Sequence, residues 1–240
     1  MVRFWRRHGG WLKDINIYFF NVNHANISDD TMTRLKEMGC RIIEPVESAE
    51  YLDMGFLTEP LCGKLAEESL SEEFLIKIDL DMCAVKPLSK ELVALAHDNT
   101  LIEEYSDGSK QSQRPSMGKF NPFDTCFIIS RRESRFYSQY YELCNSDTIR
   151  KNEEWIKLYN ENGNYYLEEF VVDYMYNNNI GNIRPMSGHI FGEGYVDIND
   201  MTDDEVRSVA FIHSHMDYRP QSIDFHQQYI KRILKIGAKR

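Results

Sequence analysis

FLIKIDLDMCAV, residues 74–85, is the stretch of this sequence that says most about its fold. The apolar residues before Asp79 are typical of a buried strand. Ligands of open α/β sheets bind at the carboxyl ends of strands, and Asp79 and Asp81 project from one side of an extended chain. Two adjacent carboxylates repel each other, so the pair predicts a divalent cation with substrate phosphates. An acidic turn in which Asp caps a helix is the alternative.

A second apolar stretch, FIHSHM at residues 211–216, ends in two histidines. His213 and His215 are spaced to lie on one side of an extended chain, a pattern more typical of metal ligands than a lone histidine is. Imidazole combined with carboxylates favours manganese, or another transition metal, over calcium. The two motifs together predict one metal site built from Asp79, Asp81 and a histidine.

Strands alternate with helices along the chain, which predicts an α/β fold with a mostly parallel central sheet flanked by helices. Two polar stretches, 103–122 and 145–164, are predicted as loop or partly loop. The predicted strands are Ile15–Phe20, Cys40–Ile43, Phe74–Ile78, Cys126–Ser130 and Val209–Ile212. The predicted helices are Ser28–Met38, Thr58–Leu70, Lys90–Ala96, Ser134–Cys144, Tyr166–Asn177 and Gln227–Ile236.

The 240 residues fit one domain, 1–240, with basic terminal segments 1–14 and 226–240. Residues 1–13 and 226–240 hold nine basic and no acidic residues, although the net charge of the chain is −10. The acidic body argues against nucleic acid, which needs a continuous basic footprint. The basic ends indicate either solvated tails or peripheral contact with a membrane surface.

Cysteine usage and hydropathy predict a cytoplasmic protein. The five cysteines form no CxxC pair, so neither a disulfide framework nor a zinc ribbon is indicated. No apolar run approaches 18 residues, and the N-terminus lacks the apolar core of a signal peptide.

Spaced motifs over roughly residues 15–220 resemble the GT-A glycosyltransferases, particularly glycogenin-like and related capsule- or virus-type enzymes. The stretch LSEEFLIKIDLDMCAVKPLS (70–89) resembles that family's strand, DxD motif and following turn. Gly63-Lys64-Leu65 resembles its helix with a basic donor-binding residue, and NPFDTCFIIS (121–130) resembles its later strand. YLEEFVVDYM (166–175) and His213 with Arg219-Pro220 resemble its acidic helix and closing motif.

The resemblance implies transfer of a sugar from a nucleoside-diphosphate sugar, with UDP as the expected carrier, to a glycan or glycoprotein hydroxyl. Mn²⁺ or Mg²⁺ would be held by Asp79, Asp81 and His213 or His215, and the donor diphosphate by Asp79, Lys64 and Arg219. If the reaction inverts the sugar, Glu168, Glu169 or Asp124 would be the general base.

The N-terminus departs from the family pattern. The family begins with a nucleoside-binding strand, so either Val2–Trp5 is a short version of it or that strand is missing. The family's glycine after the histidine is Met216 here, which leaves the choice between His213 and His215 open. A non-catalytic glycan-binding relic of the fold is therefore an alternative.

Two other families share single motifs with the chain. Haloacid-dehalogenase phosphatases place Thr or Val four residues after the first Asp, where this chain has Cys83, and their motif usually opens the fold. JAMM zinc metalloproteases carry HxH followed by Ser and Asp, which His213, His215, Ser222 and Asp224 resemble. The last two gaps are each one residue short of that pattern.

Overall fold

The computed structural model describes residues 2–21, 27–43, 58–80, 82–104, 123–162, 167–186, 190–191, 202–204, 210–213 and 231. Strands and helices alternate along these residues, which confirms the α/β class. The helices are α1 Val2–His8, α2 Asp29–Glu37, α3 Thr58–Ser69, α4 Lys90–Leu95, α5 Phe136–Cys144, α6 Asp147–Arg150, α7 Glu153–Asn162 and α8 Leu167–Asn177. The strands are β1 Ile17–Phe20, β2 Cys40–Ile43, β3 Phe74–Ile78, β4 Met82–Ala84, β5 Thr100–Glu104, β6 Phe123–Arg131, β7 Ile183–Met186, β8 Ile190–Phe191 and β9 Phe211–His213.

The chain divides into two compact units, and the larger one comprises Tyr18–Lys77 and Val93–Ser187. Its four-stranded sheet has the strand order β3-β6-β5-β7, and β1 and β2 form a separate two-stranded sheet. All but the last residue of β6 are buried, as expected for an apolar strand in the middle of a sheet. Buried side chains of α5 and α8, among them Tyr137, Tyr140 and Phe170, belong to the same hydrophobic cluster as Ile128 of β6.

The smaller unit comprises Met1–Ile17, Ile78–Leu92 and Gly188–Arg240. Its sheet has the order β4-β9-β8. Trp5 of α1 stacks on Phe211 of β9 at 5.9 Å between ring centroids, and its indole Nε1 donates to the carbonyl of Leu12 at 2.9 Å. The N-terminal helix is thus anchored to the sheet by a buried aromatic side chain.

The expectation that Val2–Trp5 is a short nucleoside-binding strand is wrong, because these residues open helix α1. Val2 and Trp5 are three residues apart, so they share one face of a helix, and that face is the buried one.

The sheets are mixed, whereas the sequence predicts mostly parallel pairing. β5 is parallel to β7 but antiparallel to β6, and β9 is parallel to β8 but antiparallel to β4. The sequence indicates no helix between β5 and β6, and consecutive strands without a crossover helix pair in the antiparallel sense.

The polar stretch 145–164, predicted as partly loop, contains more helix than expected. Residues 147–150 and 153–162 are helices α6 and α7 rather than loop. Trp155 and Leu158 are buried on one face of α7, and the side chain of Asn152 accepts hydrogen bonds from the first turn of the helix. Of the predicted helix Gln227–Ile236, only Lys231 lies among the described residues.

Candidate functional site

The first aspartate of the DxD motif lies directly after β3, at the start of a tight turn. The amide of Met82 donates to the carbonyl oxygen of Asp79 at 3.2 Å, which closes the turn between β3 and β4. Asp79 is half-buried, and Leu80 is exposed. Asp81 itself lies outside the described residues.

Strands β4 and β9 pair so that the two sequence motifs meet. Their antiparallel register places Met82 opposite His213 and Ala84 opposite Phe211. Residues directly opposite in an antiparallel pair have Cα atoms about 5 Å apart. Since Met82 follows Asp81 in the chain, the backbone of His213 lies next to the carboxyl end of the DxD motif.

The strand that follows the DxD motif, β4, is formed by buried apolar residues. Met82, Cys83 and Ala84 are buried, and the ladder continues where the amide of Val85 donates to the carbonyl of Ala210 at 2.8 Å. Side chains on such a packed sheet hold their positions better than those on loops. The buried strand β4 thus follows the DxD motif directly in the chain.

The metal assignment remains a prediction. Among the side chains that the structure describes, no group of three or more His, Cys, Asp or Glu is arranged to hold a metal. Asp81, His215 and the side chain of His213 lie outside the described part. The donor chemistry of carboxylates with imidazole still suits Mn²⁺. Arg219 also lies outside the described residues.

The larger unit holds a largely buried ion pair that was not predicted from the sequence. Lys77 of β3 pairs with Glu59 of α3, and the Lys77 ammonium also donates to the carbonyl of Thr125 in β6 at 2.5 Å. The side chains are 20% and 11% exposed, respectively. One ammonium group thus ties three elements together. The signal in the sequence is Lys77 itself, a single charge within the apolar run FLIKI.

Glu168 and Glu169, two candidate bases, lie half-buried in the first turn of α8. Burial raises the pKa of the Tyr140 hydroxyl well above its usual value, and the carboxylates of Glu59, Glu168 and Glu169 raise it further. The pKa of the Cys144 thiol is also raised well above its usual value, first by burial and then by the carboxylates of Glu168 and Glu59. Three acidic side chains are therefore near one buried phenol in the larger unit.

Asp124, the third candidate base, is a buried residue of β6. Its Oδ1 accepts a hydrogen bond from the amide of Cys126 at 2.9 Å. Its cross-strand partner in β5 is Glu103, which is also buried, and the register shifts just before this pair. Asp124 therefore has a local structural role.

Lys64, the predicted donor-binding cation, lies on α3 with its ammonium 4.8 Å from the centre of the Tyr141 ring. Glu68, one turn further along the helix, is 3.9 Å from the same nitrogen. Both contacts are within the larger unit and leave the side chain partly exposed.

Comparison with protein-family models gives no match, and neither does comparison with curated protein sequences. Solved structures share the fold. One is a glycosyltransferase involved in the glycosylation of the major capsid of PBCV-1, with a TM-score of 0.53 and 11% identity over 89% of this chain and 98% of that one. Another is the glycosyltransferase GlyE of Streptococcus pneumoniae TIGR4, with the same TM-score and identity over all of this chain and 58% of that one. The chain therefore has a GT-A-like glycosyltransferase fold and spans somewhat over half of GlyE.

Proposed function

We propose that the protein transfers a sugar from a nucleoside-diphosphate sugar, with UDP as the expected carrier, to a glycan hydroxyl. The observation that carries the proposal is the register of β4 on β9, which brings the backbone of His213 beside the residue that follows Asp81. The shared fold with two glycosyltransferases supports the same reaction class.

The proposed ligands of a divalent cation are Asp79, Asp81 and His213. We favour His213 over His215 because the spacing from His213 to Arg219-Pro220 resembles the closing motif of the GT-A family. When bound, Mn²⁺ or Mg²⁺ supplies positive charge that favours departure of the diphosphate. Arg219 and Lys64 would add cationic groups for the diphosphate oxygens.

The acceptor hydroxyl needs a base if the reaction inverts the sugar. Glu168 and Glu169 suit this role better than Asp124, because they are only half-buried, whereas Asp124 is buried and bonded to the backbone of its own strand. A half-buried carboxylate can accept a proton from a hydroxyl and pass it to water.

A zinc metalloprotease is the weaker interpretation, because solved glycosyltransferases share the fold of the chain. A non-catalytic glycan-binding relic has the same fold and differs only in activity. It predicts binding of sugars or nucleotides without release of a nucleoside diphosphate.

A thermal-shift screen of nucleoside diphosphates and their sugars, with and without Mn²⁺, tests the proposal. We expect stabilisation that requires Mn²⁺ and is lost in Asp81→Ala and His213→Ala. The matched control Asp98→Ala changes an exposed carboxylate in the larger unit and should behave as the wild type. Equal nucleotide shifts with and without metal would contradict the proposal. Binding with no released diphosphate for any sugar nucleotide would favour the relic.

A further inference from the structure

The exposed face of the N-terminal helix is basic. Val2, Phe4 and Trp5 of α1 are buried, whereas Arg3 and Arg7 are exposed. Residues four apart lie one above the other on a helix, so these two guanidinium groups share a face. Lys13 is exposed just beyond the helix.

Trp11 presents an apolar ring in the same segment. It is 47% exposed, whereas its indole Nε1 donates to the carbonyl of Leu88 at 2.9 Å. The ammonium of Lys90 lies 5.9 Å from the centre of the ring. The polar atom of the indole is therefore satisfied within the protein, and the apolar edge faces solvent. Tryptophan in this state is suited to the boundary between water and lipid.

The segment is held in place rather than left as a solvated tail. Arg6 donates from Nη1 to the carbonyls of Lys13 and Ile15, at 2.5 and 2.8 Å. Trp5 anchors the helix on β9 through its stacking contact. The basic and aromatic side chains are thus presented on a fixed element, which reduces the entropy lost when they dock.

We propose that this surface, defined by Arg3, Arg7, Trp11, Lys13 and Lys90, docks on an anionic lipid bilayer. Residues 1–13 carry four basic and no acidic side chains in a chain of net charge −10, so this segment attracts an anionic surface although the chain as a whole is acidic. Asp14 and Glu91 are the acids next to the surface in sequence.

A lipid surface suits these residues better than nucleic acid does. The basic side chains of this surface are few, and residues 14–225 are strongly acidic, which opposes the long basic track that a nucleic acid needs. The exposed ring of Trp11 adds apolar area that can enter the headgroup region. No helix of the described residues is long and apolar enough to cross a membrane. The inference does not depend on the proposed transferase activity.

Co-sedimentation with lipid vesicles tests the docking. The full chain should bind phosphatidylcholine vesicles that contain about 30% phosphatidylserine and not pure phosphatidylcholine vesicles. Each basic residue near an anionic bilayer strengthens binding about fivefold, so Arg3→Glu/Arg7→Glu/Lys13→Glu should weaken it by at least about 100-fold. The control Arg34→Glu/Lys36→Glu/Lys151→Glu reverses the same amount of charge at exposed sites elsewhere and should bind nearly as the wild type.

Tryptophan fluorescence provides a second readout that needs no charge reversal. Trp5 and Trp155 are 3% and 5% exposed, so a change in emission on binding reports mainly on Trp11. We expect a blue shift and protection from acrylamide with anionic vesicles, both lost in Trp11→Phe. The proposal is overturned if the wild type ignores anionic vesicles or binds neutral ones equally. It is also overturned if the basic surface binds RNA or heparin but no vesicle.

Discussion

Replacing Lys77 with methionine should destabilise the larger unit strongly, because the substitution leaves a buried carboxylate without its ammonium. Lys77 pairs with Glu59 and donates to the Thr125 carbonyl. Methionine keeps much of the apolar stem of lysine and removes only the charge and the donor. The effect therefore measures the ion pair rather than a cavity.

The expected magnitude follows from burial. Breaking a buried ion pair by removing one partner costs about 3–5 kcal/mol. Because Lys77 retains one-fifth of its exposure, we expect a loss near the lower end, about 3 kcal/mol. Glu59→Gln keeps an oxygen that can accept from the ammonium, so it should cost about 1–2 kcal/mol.

The assay is a double-mutant cycle followed by urea unfolding. Trp155 is the only tryptophan of the larger unit, and its buried ring reports on the core there. In Glu59→Gln/Lys77→Met the carboxylate is already gone, so the double variant should be less destabilised than the sum of the single changes by about 1–2 kcal/mol.

The matched control is Arg34→Met, which breaks an exposed pair with Asp30 on α2. It should change the free energy of unfolding by less than about 0.5 kcal/mol. A loss below about 1 kcal/mol for Lys77→Met, or additive effects in the cycle, would refute the argument that this pair is desolvated.

Three further predictions concern the contacts of α3. A Cβ at Gly63 would overlap the buried Tyr137 ring. Gly63→Ala should therefore lower the free energy of unfolding by about 1–2 kcal/mol, although alanine has a better helix propensity than glycine. A stabilised Gly63→Ala variant would contradict this close packing. The buried Glu67 carboxylate accepts from the amides of Tyr137 and Ser138, yet burial raises its pKa above the usual value near 4.5. The folded state therefore holds this proton more tightly than the unfolded chain, and wild-type stability should fall as pH rises through the window above about 4.5. The stability of Glu67→Gln should not fall in this way. Identical pH profiles of stability for the wild type and Glu67→Gln would show that Glu67 does not cause the fall. Burial raises the pKa of the Cys62 thiol to about 12 from an ordinary 9.0. At pH 8 iodoacetamide should therefore label Cys62 about 1,000-fold more slowly than a free thiol, because only the thiolate reacts. Rapid labelling that is abolished in Cys62→Ser would contradict this expectation.

Local signals predicted some elements closely. Ser28 caps α2 by accepting from the amide of Thr31 at 3.2 Å, and Gly39 follows the helix with a φ of 76°. Both features were readable because a cap and a left-handed glycine depend on neighbours in the chain. The strand Phe74–Ile78 was likewise marked by its composition.

Elements stabilised by distant contacts were not readable in this way. β5 includes Glu103, which is buried opposite Asp124, and a carboxylate in a buried strand gives no strand signal. Helix α7 was hidden by its polar outer face, although Trp155 and Leu158 mark its buried side.

The candidate site shows the same division. The DxD and HxH motifs predicted which residue types would form the site, and the two motifs together predicted a single metal site. The pairing of Met82 with His213 is a long-range register that only the folded chain supplies. The role of Lys77 could not be inferred, because its partner Glu59 lies on another element.

The most direct test of the central claim is a calorimetric titration of UDP into the wild type and Asp81→Asn, each with Mn²⁺ and with a chelator. We expect Mn²⁺ to strengthen UDP binding to the wild type by at least about tenfold and to have no such effect on Asp81→Asn. If Mn²⁺ strengthens UDP binding equally in both proteins, the DxD motif does not hold the metal, and the proposed site is wrong.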